Sequence, residues 1–284
     1  MQGYHRPMAE ISVPRTDRWI HRSEVTGAQY RVTLSLPHRG DGAGVPVLVL
    51  LDGETMILTA TEFVRAQNAT MPGLVAPVAF LSVMADTAPG LDYVAARFRD
   101  FTPDPWTLPG PFAGDNAVAA LGTGGADRFL GTIIDGILPE AAARAEIDRS
   151  RSGVCGWSLS GLFAAHAWVS RPDVFRDLVA ISPSLWWNDA SMLSRPIPTR
   201  PAGHRAVVTA GEHEEGDVSR VWPAAFADAE QRVVAAMVSN AARFGGLARA
   251  AGAQTHTVVF RDEHHMTLVP ASLARAIVLL HGAP

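Results

Sequence analysis

The apolar positions of the chain first fall into order between Gln29 and Leu36, where Tyr30, Val32, Leu34 and Leu36 alternate with polar residues. Period-two alternation of this kind marks a half-buried strand. The turn-rich stretch Pro37 to Gly44 follows, and then Val45 to Leu51, a nearly unbroken apolar run that stops at Asp52-Gly53. Such runs suit strands covered on both faces, as in a parallel sheet. Thr55 to Gln67 has helical composition, and Val75 to Met84 is a second apolar, β-branched run. Asp127 to Ile147 carries Phe129, Leu130, Ile133, Ile134, Ile137 and Leu138 at helical spacing, with Pro139 expected to kink or divide the helix. Beyond it the pattern predicts a short strand over Arg151–Gly156, a helix over Leu159–Ser170, and strands over Leu178–Ile181 and His204–Ala210. A long amphipathic helix at Ala225–Ala251, a strand at Thr255–Phe260 and a helix at Val269–Leu280 complete the series. Strands alternating with helices imply an α/β fold: a mostly parallel central sheet flanked by helices, in three layers. Neither a repeat nor a linker interrupts the alternation, so residues 1–284 are expected to form one domain.

One segment breaks the pattern. Residues 85–125 hold Pro89, Pro103, Pro105, Pro109 and Pro111 among the aromatics Tyr93, Phe98, Phe101, Trp106 and Phe112. A long irregular stretch inside a compact domain is commonly functional, and its aromatics predict an ordered lid or pocket wall rather than a linker.

Composition narrows the function. The 284 residues are 48% hydrophobic and 18% charged, with a formal net charge of −4 and both signs scattered along the chain. That balance leaves no electrostatic footprint for nucleic acid or an anionic membrane. Met1–Arg22 lacks the apolar core of a signal peptide, and no run reaches the roughly 18 apolar residues of a membrane span, so a cytoplasmic protein is expected. The single cysteine, Cys155, excludes an internal disulfide and a cysteine-based zinc ribbon. All 24 basic residues are arginine, which removes Schiff-base and Walker-type lysine chemistry.

The densest chemistry lies at Val154-Cys155-Gly156-Trp157-Ser158-Leu159-Ser160-Gly161, between a predicted strand and an apolar helix. A strand-turn-helix with small flanking residues is what lifts a nucleophilic serine clear of a sheet; the blander reading of Ser158 is a helix N-cap. A serine nucleophile needs a base, and the order serine, acid, histidine places that base after the last strand, at His265 or its neighbour His264. The acid belongs in the preceding loop, among Glu212, Glu214, Glu215 and Asp217, where the Gly-x-x-acid spacing favours Glu214. Charge developing on a substrate carbonyl calls for two backbone N–H donors: one from Leu159, the other from Gly53 or Glu54. Trp157, Trp186 and Trp187 fall where they could line the mouth of the site, and Arg97 and Arg99 could contact an anionic substrate or else form internal ion pairs. A metal-dependent hydrolase built on Glu212, His213, Glu214, His264 and His265 is a competing reading, although it lacks H-E-x-x-H spacing. A non-catalytic binding protein on the same fold is another.

Six stretches taken together carry a resemblance. Leu50-Leu51-Asp52-Gly53, Arg97-Phe98-Arg99-Asp100-Phe101-Thr102-Pro103, Gly156-Trp157-Ser158-Leu159-Ser160-Gly161-Leu162-Phe163, Ile181-Ser182-Pro183-Ser184-Leu185-Trp186-Trp187, Gly211-Glu212-His213-Glu214 and His265-Met266-Thr267-Leu268-Val269-Pro270 occur in this order. With them the chain resembles the putative esterase family of α/β-hydrolases, its esterase D-like group, and most closely the enterobactin and bacillibactin esterase-like branch. The resemblance implies an α/β-hydrolase fold and cofactor-free hydrolysis of a small-molecule ester. A siderophore trilactone is the sharper substrate expectation, and small or aromatic acyl esters cleaved by a general carboxylesterase are the alternative. It also aligns His265, rather than His264, and Glu214 with the family's catalytic positions. Two departures stand out: Ser160 occupies a position that is commonly glycine, and Met266 follows the histidine where glycine is usual.

Overall fold

The computed structural model describes residues 13–37, 44–106, 122–215 and 236–283. Its strands are β1 (Thr16–Arg22), β2 (Gln29–Ser35), β3 (Val45–Leu51), β4 (Ala79–Ala85), β5 (Ile147–Trp157), β6 (Phe175–Ile181), β7 (Arg205–Gly211) and β8 (Gln254–Phe260). They form one sheet in the order β1-β2-β4-β3-β5-β6-β7-β8. β2 pairs antiparallel with both β1 and β4, and every pair from β4 to β8 is parallel.

The unbroken apolar runs are explained by two cores, one on each face of the sheet. Val47, Val49 and Leu51 of β3 point into a core covered by α3 (Ala126–Gly131), α4 (Leu138–Arg144), α5 (Leu159–Ser170) and α6 (Met237–Ala250). Leu48 and Leu50 point the other way, beneath α1 (Ile57–Thr70) and α7 (Leu268–His281). Each strand residue therefore meets apolar side chains whichever face it takes, and alternation disappears.

One strand went unanticipated and two expectations need correction. β1 was not anticipated: its sequence, TDRWIHR, has no alternating apolar set, and its only buried residue is His21. Residues 85–125 are not one irregular stretch, because α2 (Leu91–Phe101) occupies part of them; residues 107–121, with Phe112, lie outside the described set. The helix predicted to reach Ile147 ends at Arg144, and β5 takes Ile147 through Trp157. Between α3 and α4 the helix is π-wound over Thr132–Ile137, and the N–H of Leu138 donates to Ile133 O five residues back. This widened turn abuts Pro139, whose missing N–H breaks the regular ladder where a kink was expected. Finally, α6 is described from Met237, so the expected helical start at Ala225 lies outside the described residues.

Candidate active site

β5 and α5 meet at Ser158, whose backbone sits at φ 60, ψ −120. A non-glycine residue there is strained, and strain of this kind persists only where the surroundings impose it. Close packing imposes it here. A Cβ on Gly156 would lie 2.1 Å from the Ser160 carbonyl oxygen, and one on Gly161 would lie 3.0 Å from Pro183 Cα. Ser160, where glycine is commoner, is accommodated by use of its hydroxyl. The buried Oγ accepts the Trp157 N–H (2.9 Å) and donates to the Trp157 carbonyl (2.8 Å), closing the end of β5. Leu159 opens α5, in whose first turn backbone N–H groups have no intrahelical acceptor.

The next parallel strand but one supplies the acid. β7 ends at Gly211 and turns through a single 3-10 turn, Glu212–Glu214. Glu214 is 2% exposed. Its Oε2 accepts the Gly211 N–H (2.5 Å) and the Ser182 hydroxyl (2.5 Å), and its Oε1 lies 2.5 Å from Nδ1 of His265. Because a carboxylate only accepts, Nδ1 must carry the proton, which makes Nε2 the nitrogen that can receive one. The acid and histidine loops touch backbone to backbone: His213 N–H donates to Glu263 O at 3.0 Å, and a Cβ on Gly211 would sit 2.6 Å from that same oxygen. The Trp157 indole packs 5.0 Å from the His265 ring, centroid to centroid, and donates Nε1–H to His265 O at 3.0 Å. Thus the residue preceding Ser158 carries the histidine loop against the elbow.

The neighbours that sequence left open are spent elsewhere. His264 accepts the Met266 N–H at Nδ1 and donates its own N–H to Thr267, within its own turn. Glu212 accepts the Asp262 N–H, and Glu215 accepts from Ser239. Asp217 lies outside the described residues. The metal set Glu212, His213, Glu214, His264 and His265 does not converge, since Glu214 and His265 are bonded to each other. Among the described residues, the set of three whose ligand atoms do come together is Glu212, His213 and Asp262, at the surface.

On the other side of the elbow, Asp52 follows β3 with φ 53, and Gly53 presses onto β4, where a Cβ would lie 2.6 Å from Ser82 Cα. α2 straps this turn to the elbow. Buried Asp52 accepts the Tyr93 hydroxyl (2.8 Å) and Arg97 Nε (2.9 Å), while Arg97 Nη2 reaches the Trp157 carbonyl at 3.4 Å. The Glu54 carboxylate is held by Arg31 and Arg18. Arg99 pairs with buried Asp100 through two bonds of 2.7 Å. Both candidate substrate arginines, Arg97 and Arg99, thus carry internal ion pairs. Trp187 is a core residue, 1% exposed, with its Nε1–H on Asp104 O; Trp157 serves the histidine. Of the three tryptophans named for the mouth, Trp186 remains half-buried, its ring 6.2 Å from that of Trp106 and edge-on to it. Sequence reasoning missed Asp52, Tyr93, Ser182 and Ser184 as members of the site. Their signal was position alone, since Asp52, Ser182 and Ser184 stand at or just beyond the carboxyl ends of strands, where ligands of open α/β sheets bind.

A family model described as "Putative esterase" matches residues 23–261. The chain belongs to the putative esterase family. It is a carboxylic ester hydrolase with the α/β-hydrolase fold. The esterase is 27% identical over 273 residues to the ferri-bacillibactin esterase BesA of Bacillus subtilis, covering 94% of this chain and 90% of that one. It is 30% identical over 207 residues to the siderophore triacetylfusarinine C esterase of Aspergillus fumigatus, covering 68% and 65%. In structure it superposes on the siderophore hydrolase EstA from Aspergillus nidulans with a TM-score of 0.77 at 23% identity, over 97% of this chain and 98% of that one. Among the esterase's described residues, no helix is long and apolar enough to cross a membrane.

Proposed function

We propose that this esterase opens a siderophore trilactone of the enterobactin or bacillibactin type through an acyl-enzyme on Ser158. Ser158 Oγ attacks the ester carbonyl while His265 Nε2 takes its proton and returns it to the departing alkoxide. Glu214 fixes the imidazole tautomer and stabilises the imidazolium. The N–H of Leu159, with that of Gly53 or Glu54 across the Asp52–Arg97 strap, receives the developing oxyanion. Water, activated by the same histidine, then releases the acid. The observation that carries this reading is the buried Glu214–His265 pair at 2.5 Å, whose histidine packs on Trp157, the residue preceding a serine held at φ 60. Support for the substrate comes from the ferri-bacillibactin esterase BesA of Bacillus subtilis, which the chain matches over 94% of its length.

The test is labelling by a fluorophosphonate together with hydrolysis of a catecholate trilactone and of an activated aryl acetate. Wild type should be labelled and should cleave both esters, and Ser158→Ala should do neither. Cleavage of the aryl ester alone would replace the trilactone assignment with a general carboxylesterase.

A further inference from the structure

We propose that Ser182-Pro183-Ser184 is a two-ended brace for the catalytic residues, with Ser182 a positioning residue for Glu214 and Ser184 a contact of the nucleophilic oxygen. The proposal rests on the triad reading above and adds to it two hydroxyls outside the triad. β6 lies between β5, which carries the elbow, and β7, which carries the acid, so the segment leaving its carboxyl end passes between them. Ser182 is fully buried, with φ 38, and its N–H is pinned to Thr209 O of β7 at 2.8 Å. From there its hydroxyl donates to Glu214 Oε2 at 2.5 Å. Two residues later the buried Ser184 turns to the elbow: its N–H donates to Ser158 O at 3.0 Å, and its Oγ lies 3.3 Å from Ser158 Oγ. Pro183 joins the two with a fixed φ.

One rigid tripeptide therefore ties the acid to the nucleophile, so their separation does not depend on two independent loops. Among the described residues the Glu214 carboxylate has three donors: His265 Nδ1 on one oxygen, Ser182 Oγ and Gly211 N on the other. Without the Ser182 hydroxyl the second oxygen keeps a single backbone donor, in a place too buried for bulk water to replace it. The carboxylate is then free to swing about that one bond, and the imidazole swings with it. At the other end, the Ser184 hydroxyl gives Ser158 Oγ a fixed neighbour that limits its rotamer between turnovers.

Steady-state kinetics on the activated aryl ester test the brace. Ser182→Ala should lower kcat about tenfold with KM unchanged, the effect of one hydrogen bond to a charged group. Ser182→Gly, which accepts a positive φ without strain, should behave alike and keeps the test readable if the alanine variant folds poorly. In a Glu214→Ala background, Ser182→Ala should change kcat by less than about twofold, because its action runs through the carboxylate. Ser184→Ala should slow fluorophosphonate labelling about threefold or more, in line with loss of a contact to the reacting oxygen. Wild-type kcat in both Ser182 variants, or an undiminished loss in the Glu214→Ala background, overturns the positioning role. Unchanged labelling of Ser184→Ala overturns the nucleophile contact. An unlabelled wild type overturns the triad reading itself, and the brace with it.

Discussion

Replacing Ser160 by alanine should loosen the elbow without touching a reacting atom. The hydroxyl accepts the Trp157 N–H at 2.9 Å and donates to the Trp157 carbonyl at 2.8 Å, and the side chain is fully buried. The carbonyl also receives a long bond from Arg97 at 3.4 Å. Two buried hydrogen bonds at about 1 kcal/mol each, with some added cost for polar groups left in a dry site, give a loss of about 2–3 kcal/mol for Ser160→Ala. Ser160→Gly removes the same bonds and adds backbone freedom in the first turn of α5, raising the loss to about 3–4 kcal/mol. For a chain of 284 residues, with an unfolding entropy of about 2.1 cal/mol/K per residue, the alanine variant should unfold roughly 3–5 °C below wild type. Activity should fall as well, because Trp157 carries the His265 ring and carbonyl on its indole; a severalfold drop in kcat is expected. Urea midpoints and aryl-ester kinetics on both variants provide the measurement. A Ser160→Ala protein within about 0.5 kcal/mol of wild type would refute the account, and so would a Ser160→Gly protein more stable than wild type. Either would mean that the elbow prefers the commoner glycine and that the hydroxyl merely fits.

Two further outcomes follow from buried charge. His281 lies buried at the end of α7, and desolvation pushes its pKa down from 6.5 to about 4, with nearby Asp177 opposing the shift. The unfolded chain therefore takes up a proton between pH 6.5 and 4 that the folded chain refuses. Stability from this group is complete above pH 6.5 and falls by up to about 3 kcal/mol as the pH drops to 4. Urea midpoints across pH 4–8 should show this slope in wild type and a flatter one in His281→Gln; parallel slopes would contradict it. Arg97→Met should strand the Asp52 carboxylate on Tyr93 alone and cost about 3 kcal/mol, the penalty for breaking a buried pair from one side. A variant of unaltered stability but raised KM for an anionic trilactone would instead make Arg97 a substrate contact.

What the sequence made legible, and what it hid, divides along a physical line. The order of strands and helices could be read because a sheet covered on both faces demands long apolar runs, as in Val45–Leu51, and because helix α5 is apolar on every side. The pairing of Glu214 with His265 could be read because each stands within five residues of a strand end, where chain order constrains which loops meet. β1 escaped because an edge strand with a single buried residue carries no periodic signal. The choice between substrate contact and internal ion pair stayed open for Arg97 for a different reason. Whether a guanidinium meets a ligand or a carboxylate depends on what the topology brings beside it, and Asp52 lies 45 residues from Arg97 in sequence. Ser182 shows the same limit within a motif that was in plain view: Ile181-Ser182-Pro183-Ser184 marks the end of β6, but only the sheet order reveals that the end of β6 falls between the elbow of β5 and the acid of β7. Strand-end motifs thus announce which residues belong to the site, while the pairing of strands decides which of them hold the others in place.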